Sequence, residues 1–167
     1  MLEIPKQFKV IPTKYKGCYF RSRLEARWAV FFDSLNLEWE YEKEGFEFED
    51  GTKYLPDFWL PQLQSWAEVK YELTKNDMNK IKLLSTATTY PVLLLIGKDL
   101  YANKNHSGPE YYHKDNYKRH EPTGRELLLT SDLWNDFLTI NNRQDCMFDA
   151  LDKARSAKFE WGKNGES

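Results

Sequence analysis

The sequence predicts an α/β fold in which a helix is followed by a three-stranded antiparallel meander, a second helix and a further strand. Three observations carry that expectation. Residues 22–36 repeat Leu24, Trp28, Phe31, Phe32 and Leu35 at helical spacing, a broad apolar stripe. Residues 54–71, YLPDFWLPQLQSWAEVKY, read as two strands joined by a tight connection near Gln62 and Leu63. Residues 74–89 form a second amphipathic stretch, ended by Tyr90-Pro91 and followed by the short apolar run Val92–Ile96, bounded by Gly97. A helix between two strands is the usual crossover in a layered α/β domain.

The chain of 167 residues is long enough for one domain with a real core, and nothing in its composition demands a second domain within 1–167. Hydrophobic residues make up 41% and the net charge is −2, so the chain is no polycation and nucleic-acid affinity would need a local patch. The longest apolar run is far too short to cross a membrane, so no membrane partner is expected. Cys18 and Cys146 lie far apart with no CxxC pattern. That usage suits a reducing, cytoplasmic compartment with both thiols structural.

Taken in order, residues 1–19 carry Pro5, Pro12 and four lysines without a clear period, and read as a basic, irregular lead-in. A short strand is expected near 18–20. Ser22 is a natural N-cap for the first helix, and Glu25 three residues later completes a capping box. On spacing alone, capping is a sufficient role for Glu25. Residues 38–42 and 46–49 alternate acids with Trp39, Tyr41, Phe46 and Phe48, as in strands with one wet face. Asp50-Gly51 marks a turn. Thr74 or Asn76 caps the second helix, with Met78, Ile81 and Leu84 on one face. Residues 98–125 break the pattern. They hold His106, His113 and His120 at a spacing that suits no zinc site, and six basic side chains against four acidic ones. Such a loop is either an ordinary excursion or a nucleic-acid-contacting one. A strand at 126–130, helices at 131–140 and 145–160, and a terminal tail complete the expectation.

The chemistry concentrates in the central strand pair. Side chains two apart share a face of a strand, so Ala67 and Val69 point one way, and Glu68 and Lys70 the other. Antiparallel pairing through the turn brings Asp57 opposite Glu68 or one residue away. Two carboxylates so close repel unless a cation or proton lies between them. The bland reading is an ordinary surface ion pair on a sheet.

Glu25 on the first helix, Asp57 after Pro56, and Glu68-Val69-Lys70 together resemble the PD-(D/E)xK nuclease superfamily. The run FRSRLEARW and the run YLPDFWLP are similar to those of small phage endonucleases, junction-resolving ones included. The resemblance covers residues 19–97. It implies a restriction-endonuclease-like core, with 98–167 as a loop and helical extension. It implies a metal-dependent endonuclease acting on double-stranded or branched DNA, in some relatives as a homodimer. It further implies Mg²⁺, with Mn²⁺ as substitute, held by Asp57, Glu68 and the main-chain carbonyl of Val69, with Glu25 completing the site. Hard carboxylate oxygens suit those ions. Lys70 would orient or activate the attacking water, or stabilise the developing charge. The alternatives are a catalytically silent nucleic-acid-binding or protein-binding module on the same fold.

Overall fold

Residues 65–70 alternate in direction along one extended segment, and both faces that they define are covered. The computed structural model describes residues 10–97, 110–112 and 144–159. Its elements are β1 (Thr13–Tyr15), β2 (Cys18–Phe20), α1 (Arg23–Ser34), β3 (Glu40–Tyr41), β4 (Phe46–Glu47), β5 (Lys53–Tyr54), β6 (Phe58–Leu60), β7 (Ser65–Lys70), α2 (Lys75–Thr88), β8 (Val92–Ile96), β9 (Glu110–Tyr112) and α3 (Gln144–Ser156). The main sheet has five strands in the order β3-β6-β7-β8-β9. Within it β3, β6 and β7 run antiparallel in turn, β8 lies parallel to β7, and β9 returns antiparallel to β8. The chain is thus a mixed α/β protein, with the meander and crossover that the sequence predicts.

Helices α1 and α2 begin where their caps say they should. Ser22 is extended and its Oγ accepts the Glu25 main-chain N–H at 3.2 Å. Thr74 caps α2 in a reciprocal box with Asp77. Helix α1 buries Trp28, Phe31 and Phe32 completely, against Ala67, Val69, Leu93 and Leu95 on one sheet face. Met147, Ala150, Leu151 and Ala154 of α3 join that cluster, so the core extends beyond residues 19–97. Phe58 lies at its centre, with the rings of Phe20, Phe32, Trp39 and Tyr41 within 5.4–6.0 Å. The opposite face carries Trp66, Val92, Leu94 and Ile96 against Met78, Ile81 and Leu84 of α2, with Tyr54, Phe46 and Phe48 at the side.

Four local expectations change. Residues 54–60 do not form one strand. Pro56 has no N–H to give a ladder, so the chain breaks there. Tyr54 pairs with β4 in a separate two-stranded sheet, and β6 starts afresh after Asp57. The lead-in is not wholly irregular either, because β1 and β2 form a hairpin whose Lys16 and Gly17 both take positive φ. Within the stretch read as a pattern-free excursion, Glu110–Tyr112 supplies the edge strand β9. Cys146 is exposed, so only Cys18 is partly packed, and both are free thiols. The three histidines, the strand at 126–130 and the helix at 131–140 lie outside the described residues. Among the described residues no helix is long and apolar enough to cross a membrane.

Gly97 ties the fold to the end of β7. A Cβ there would sit 2.8 Å from Leu24 Cδ2 and 3.1 Å from the Tyr71 Cα. Gly97→Ala is therefore expected to cost about 1–3 kcal/mol by overpacking, read as a lowered midpoint in urea. Phe58→Ala, which leaves a cavity among four rings, is expected to cost about 3–5 kcal/mol; a loss below that of Gly97→Ala would show that the core is centred elsewhere.

Candidate active site

Register places the two central acids. Phe58 pairs with Ala67 across β6 and β7, so the next step of the antiparallel ladder sets Asp57 against Glu68. That step is not a main-chain rung. The Val69 N–H donates instead to Asp57 Oδ2 at 2.7 Å, so a carboxylate completes what the interrupted strand cannot. In an extended strand the N–H and C=O of one residue leave on the same side. The Val69 carbonyl therefore also points toward the Asp57 side. The Asp57 carbonyl accepts the Glu42 N–H at 2.9 Å, which fixes β3 to the same spot.

Glu68, Asp57 and Glu25 are 3%, 3% and 8% exposed, so these are buried acids rather than a surface ion pair. The face that carries Glu68 is closed by α2 and Tyr54. Each acid is met by donors. Lys70 Nζ lies 2.6 Å from Glu68 Oε1, and Tyr54 Oη donates to Glu68 Oε2 at 2.7 Å. Arg21 reaches Asp57 Oδ1 at 3.2 Å. Glu25 accepts from Ser22 Oγ at 2.6 Å, from the Arg21 main-chain N–H at 3.1 Å, and from Tyr41 Oη. The Glu25 side chain takes the Arg21 N–H and the Ser22 hydroxyl in place of the Ser22 N–H, so the expected reciprocal capping box does not close, and its charge is felt at Asp57.

The electrostatics follow from that crowding. Burial, and then the charge of Glu68, push the Asp57 carboxyl well above the ordinary carboxylate range, against the pull of the Val69 N–H. Burial alone would lower the Lys70 ammonium, but Glu68, Asp57 and Asp77 outweigh it and hold Lys70 above its usual value. Lys70 is therefore a cation in this state. Burial and the neighbouring Glu68 raise the Tyr54 phenol, and burial chiefly raises that of Tyr41. Both stay protonated and donate.

The donor set suits a small divalent cation in its chemistry: carboxylate oxygens of Asp57, just before β6, and of Glu68, on β7, with the Val69 carbonyl on the same side as Asp57. A carboxyl pushed upward by its neighbour is one that added positive charge would relieve. Each carboxylate has about four lone-pair directions, so one donor on each oxygen does not exhaust it. Among the described residues no group of three or more His, Cys, Asp and Glu side chains is drawn together as a preformed metal cluster.

The four residues singled out in sequence, Glu25, Asp57, Glu68 and Lys70, converge on one end of β7. Others emerge only from the structure. Tyr41 and Tyr54 are donors to the acids. Asp77, in the first turn of α2, lies 4.0 Å from Lys70. Arg21 links Asp57 to Glu42, whose Oε1 is 2.6 Å from its Nε. Of these, Arg21 has a sequence signal in its place beside Ser22 in FRSRLE, and Glu42 in the acidic run 38–50, where Glu40 or Glu42 is a candidate to reach the metal region.

The raised Asp57 carboxyl has a signed consequence. A group whose folded value exceeds its unfolded value of about 4 stabilises the fold fully below that pH. The contribution disappears as pH rises through the folded value. In chelator, Asp57→Asn is expected to melt a few degrees above the wild type at pH 8, with the gain vanishing near pH 4. A variant less stable than the wild type at every pH would show that the Arg21 and Val69 contacts outweigh the repulsion.

Compared with protein-family models, curated proteins and solved structures, the chain has no significant match in any of the three.

Proposed function

We propose that the chain is a metal-dependent endonuclease of the PD-(D/E)xK type, with a restriction-endonuclease-like core, hydrolysing phosphodiester bonds in double-stranded or branched DNA. The observation that carries this reading is the pairing of two buried acids, Asp57 and Glu68, across β6 and β7, with the Lys70 ammonium 2.6 Å from one of them. An apolar protein interior has no structural use for two facing carboxylates, since burying charge is costly unless it is compensated. The order α1, β3, β6, β7, α2, β8 also agrees with the order that the sequence resemblance implies.

In this reading Asp57, Glu68 and the Val69 carbonyl hold Mg²⁺ or Mn²⁺, and Glu25 supports the site from α1. The ion supplies positive charge to the crowded phosphate oxygens and makes nearby water more acidic. Lys70, kept charged by its acidic neighbours, orients the attacking water or steadies the charge that develops on the phosphate. Tyr54 holds Glu68 in place from the hairpin, and Asp77 draws Lys70 toward the start of α2. The net charge of −2 means that DNA is gripped through few contacts, so binding falls with salt by a shallow power. A homodimer would be the assembly suited to branched DNA.

A second reading is favoured by one observation. Each carboxylate oxygen of Asp57, Glu68 and Glu25 already meets a donor from the protein. A chain that satisfies its acids internally could be a silent binding module on the same scaffold.

Cleavage of supercoiled, linear, single-stranded and branched DNA in Mg²⁺ separates the two. The wild type is expected to cut at least one of these, to stop in chelator and to recover in Mn²⁺. Lys70→Ala and Glu68→Ala are each expected to lower the rate by about 100-fold or more. Equal cutting by wild type and Glu68→Ala, or none by either, would sink the endonuclease reading.

A further inference from the structure

Arg21 stands where the acids are shortest of positive charge. Its main-chain N–H donates to Glu25 Oε2 and to Tyr41 Oη, both at 3.1 Å, so the root of its side chain is fixed at the start of α1. Its guanidinium then divides between two acids. Nε lies 2.6 Å from Glu42 Oε1, and one terminal nitrogen lies 3.2 Å from Asp57 Oδ1. The Asp57 contact is a single hydrogen bond, long for a charge-assisted one; the Glu42 contact is the closer ion pair but lacks hydrogen-bond geometry. The two partners also differ in burial, since the Asp57 side chain is 5% exposed and that of Arg21 58%. A guanidinium on the solvent side is the only cation in contact with Asp57 among the described ion pairs, while Lys70 is engaged by Glu68 and Asp77.

We propose that Arg21 is a displaceable counter-ion: it neutralises Asp57 before a divalent cation is bound, yields Asp57 Oδ1 to that cation, and turns to a phosphate oxygen of the nucleic-acid substrate while Glu42 keeps its Nε anchored. The inference rests on the endonuclease reading. Its physical basis is a competition between like charges for one carboxylate. A divalent ion held by Asp57 and Glu68 repels a guanidinium a few ångströms away. It also takes over the neutralising role that kept Arg21 there. The freed terminal nitrogens form a planar fork that matches phosphate geometry, which an ammonium would not. The Glu42 anchor limits the swing to the mouth of the site, so the cation and the phosphate contact are loaded together. The competing account is a static clasp in which Arg21 only pins β3 and α1 to β6.

The test uses the full chain with Arg21→Gln, Arg21→Lys and, as a site control, Asp57→Asn. Mn²⁺ binding without DNA is followed by the loss of the free-ion paramagnetic resonance signal. Binding of fluorescent linear and branched DNA is followed by anisotropy in Ca²⁺ and in chelator. Arg21→Gln is expected to bind Mn²⁺ about 3–10-fold more tightly than the wild type. It is expected to bind DNA about tenfold less tightly in Ca²⁺, and equally in chelator, where Arg21 is still held by Asp57. Arg21→Lys, with the charge but not the fork, should recover Mn²⁺ competition more fully than DNA affinity. A DNA loss of the same size with and without Ca²⁺, or no change in either measurement, would overturn the proposal and leave the endonuclease reading standing. Wild type that binds Mn²⁺ no better than Asp57→Asn would overturn both.

Discussion

Two carboxylates that face each other in a protein interior set the terms for everything around them. Asp57 and Glu68 are almost wholly buried, Glu68 on β7 and Asp57 just before β6 begins, where that strand is interrupted. In water such a pair would separate. Here the register of β6 on β7 holds it, and that register is itself held by Phe58, Leu60, Ala67 and Val69 in the core below. Slipping by one residue would turn the whole apolar set outward, so the packing makes the repulsion unavoidable. The donors around the pair, Lys70, Arg21, Tyr54 and the Val69 N–H, are the response to that constraint.

The layers place those donors with little freedom. Helix α1 is pressed on one face by three large aromatic residues, and its capped start delivers Arg21, Ser22 and Glu25 to the acids. Helix α2 covers the other face and is separated from β7 by four residues, which brings Asp77 toward Lys70. The β4–β5 hairpin, separated from β6 by Pro56, folds over so that the Tyr54 hydroxyl meets Glu68. Tyr41 on β3 completes the ring by reaching Glu25. Each contribution comes from a different element. The site is thus a product of the packed structure, and loosening any one layer would let the acids drift toward water.

Polar contacts alone do not make that arrangement comfortable. The Asp57 carboxyl remains well above the ordinary range, despite accepting a main-chain N–H. Residual stress of this kind is common where groups are positioned for chemistry rather than for stability. The guanidinium shared between Asp57 and Glu42 is the contact beside that carboxyl most open to exchange.

Much of this was legible from residues close together in the chain. The Ser22 and Thr74 caps, the apolar stripe of α1, the run Val92–Ile96 and the turn at Asp50-Gly51 are local signals, and local signals survive in a single sequence. So does the meeting of Asp57 with Glu68, because a short connection and strand alternation determine it together. What lay beyond reach depends on partners distant in sequence. Three-residue strands such as β1 and β9 carry too little periodicity to be seen without the strand that they pair with. The division of residues 54–60 between two sheets is decided by where β4 and β3 lie. The burial of Glu68 could not be read from a strand that alternates like a half-exposed one, because α2 and Tyr54 supply the cover. The link from Arg21 to both Glu42 and Asp57 joins three segments through space. Sequence alone determined which residues carry charge and at what spacing. Tertiary packing decided which of those charges were removed from water, and burial is what converts an ordinary pair of acids into a site that calls for a cation.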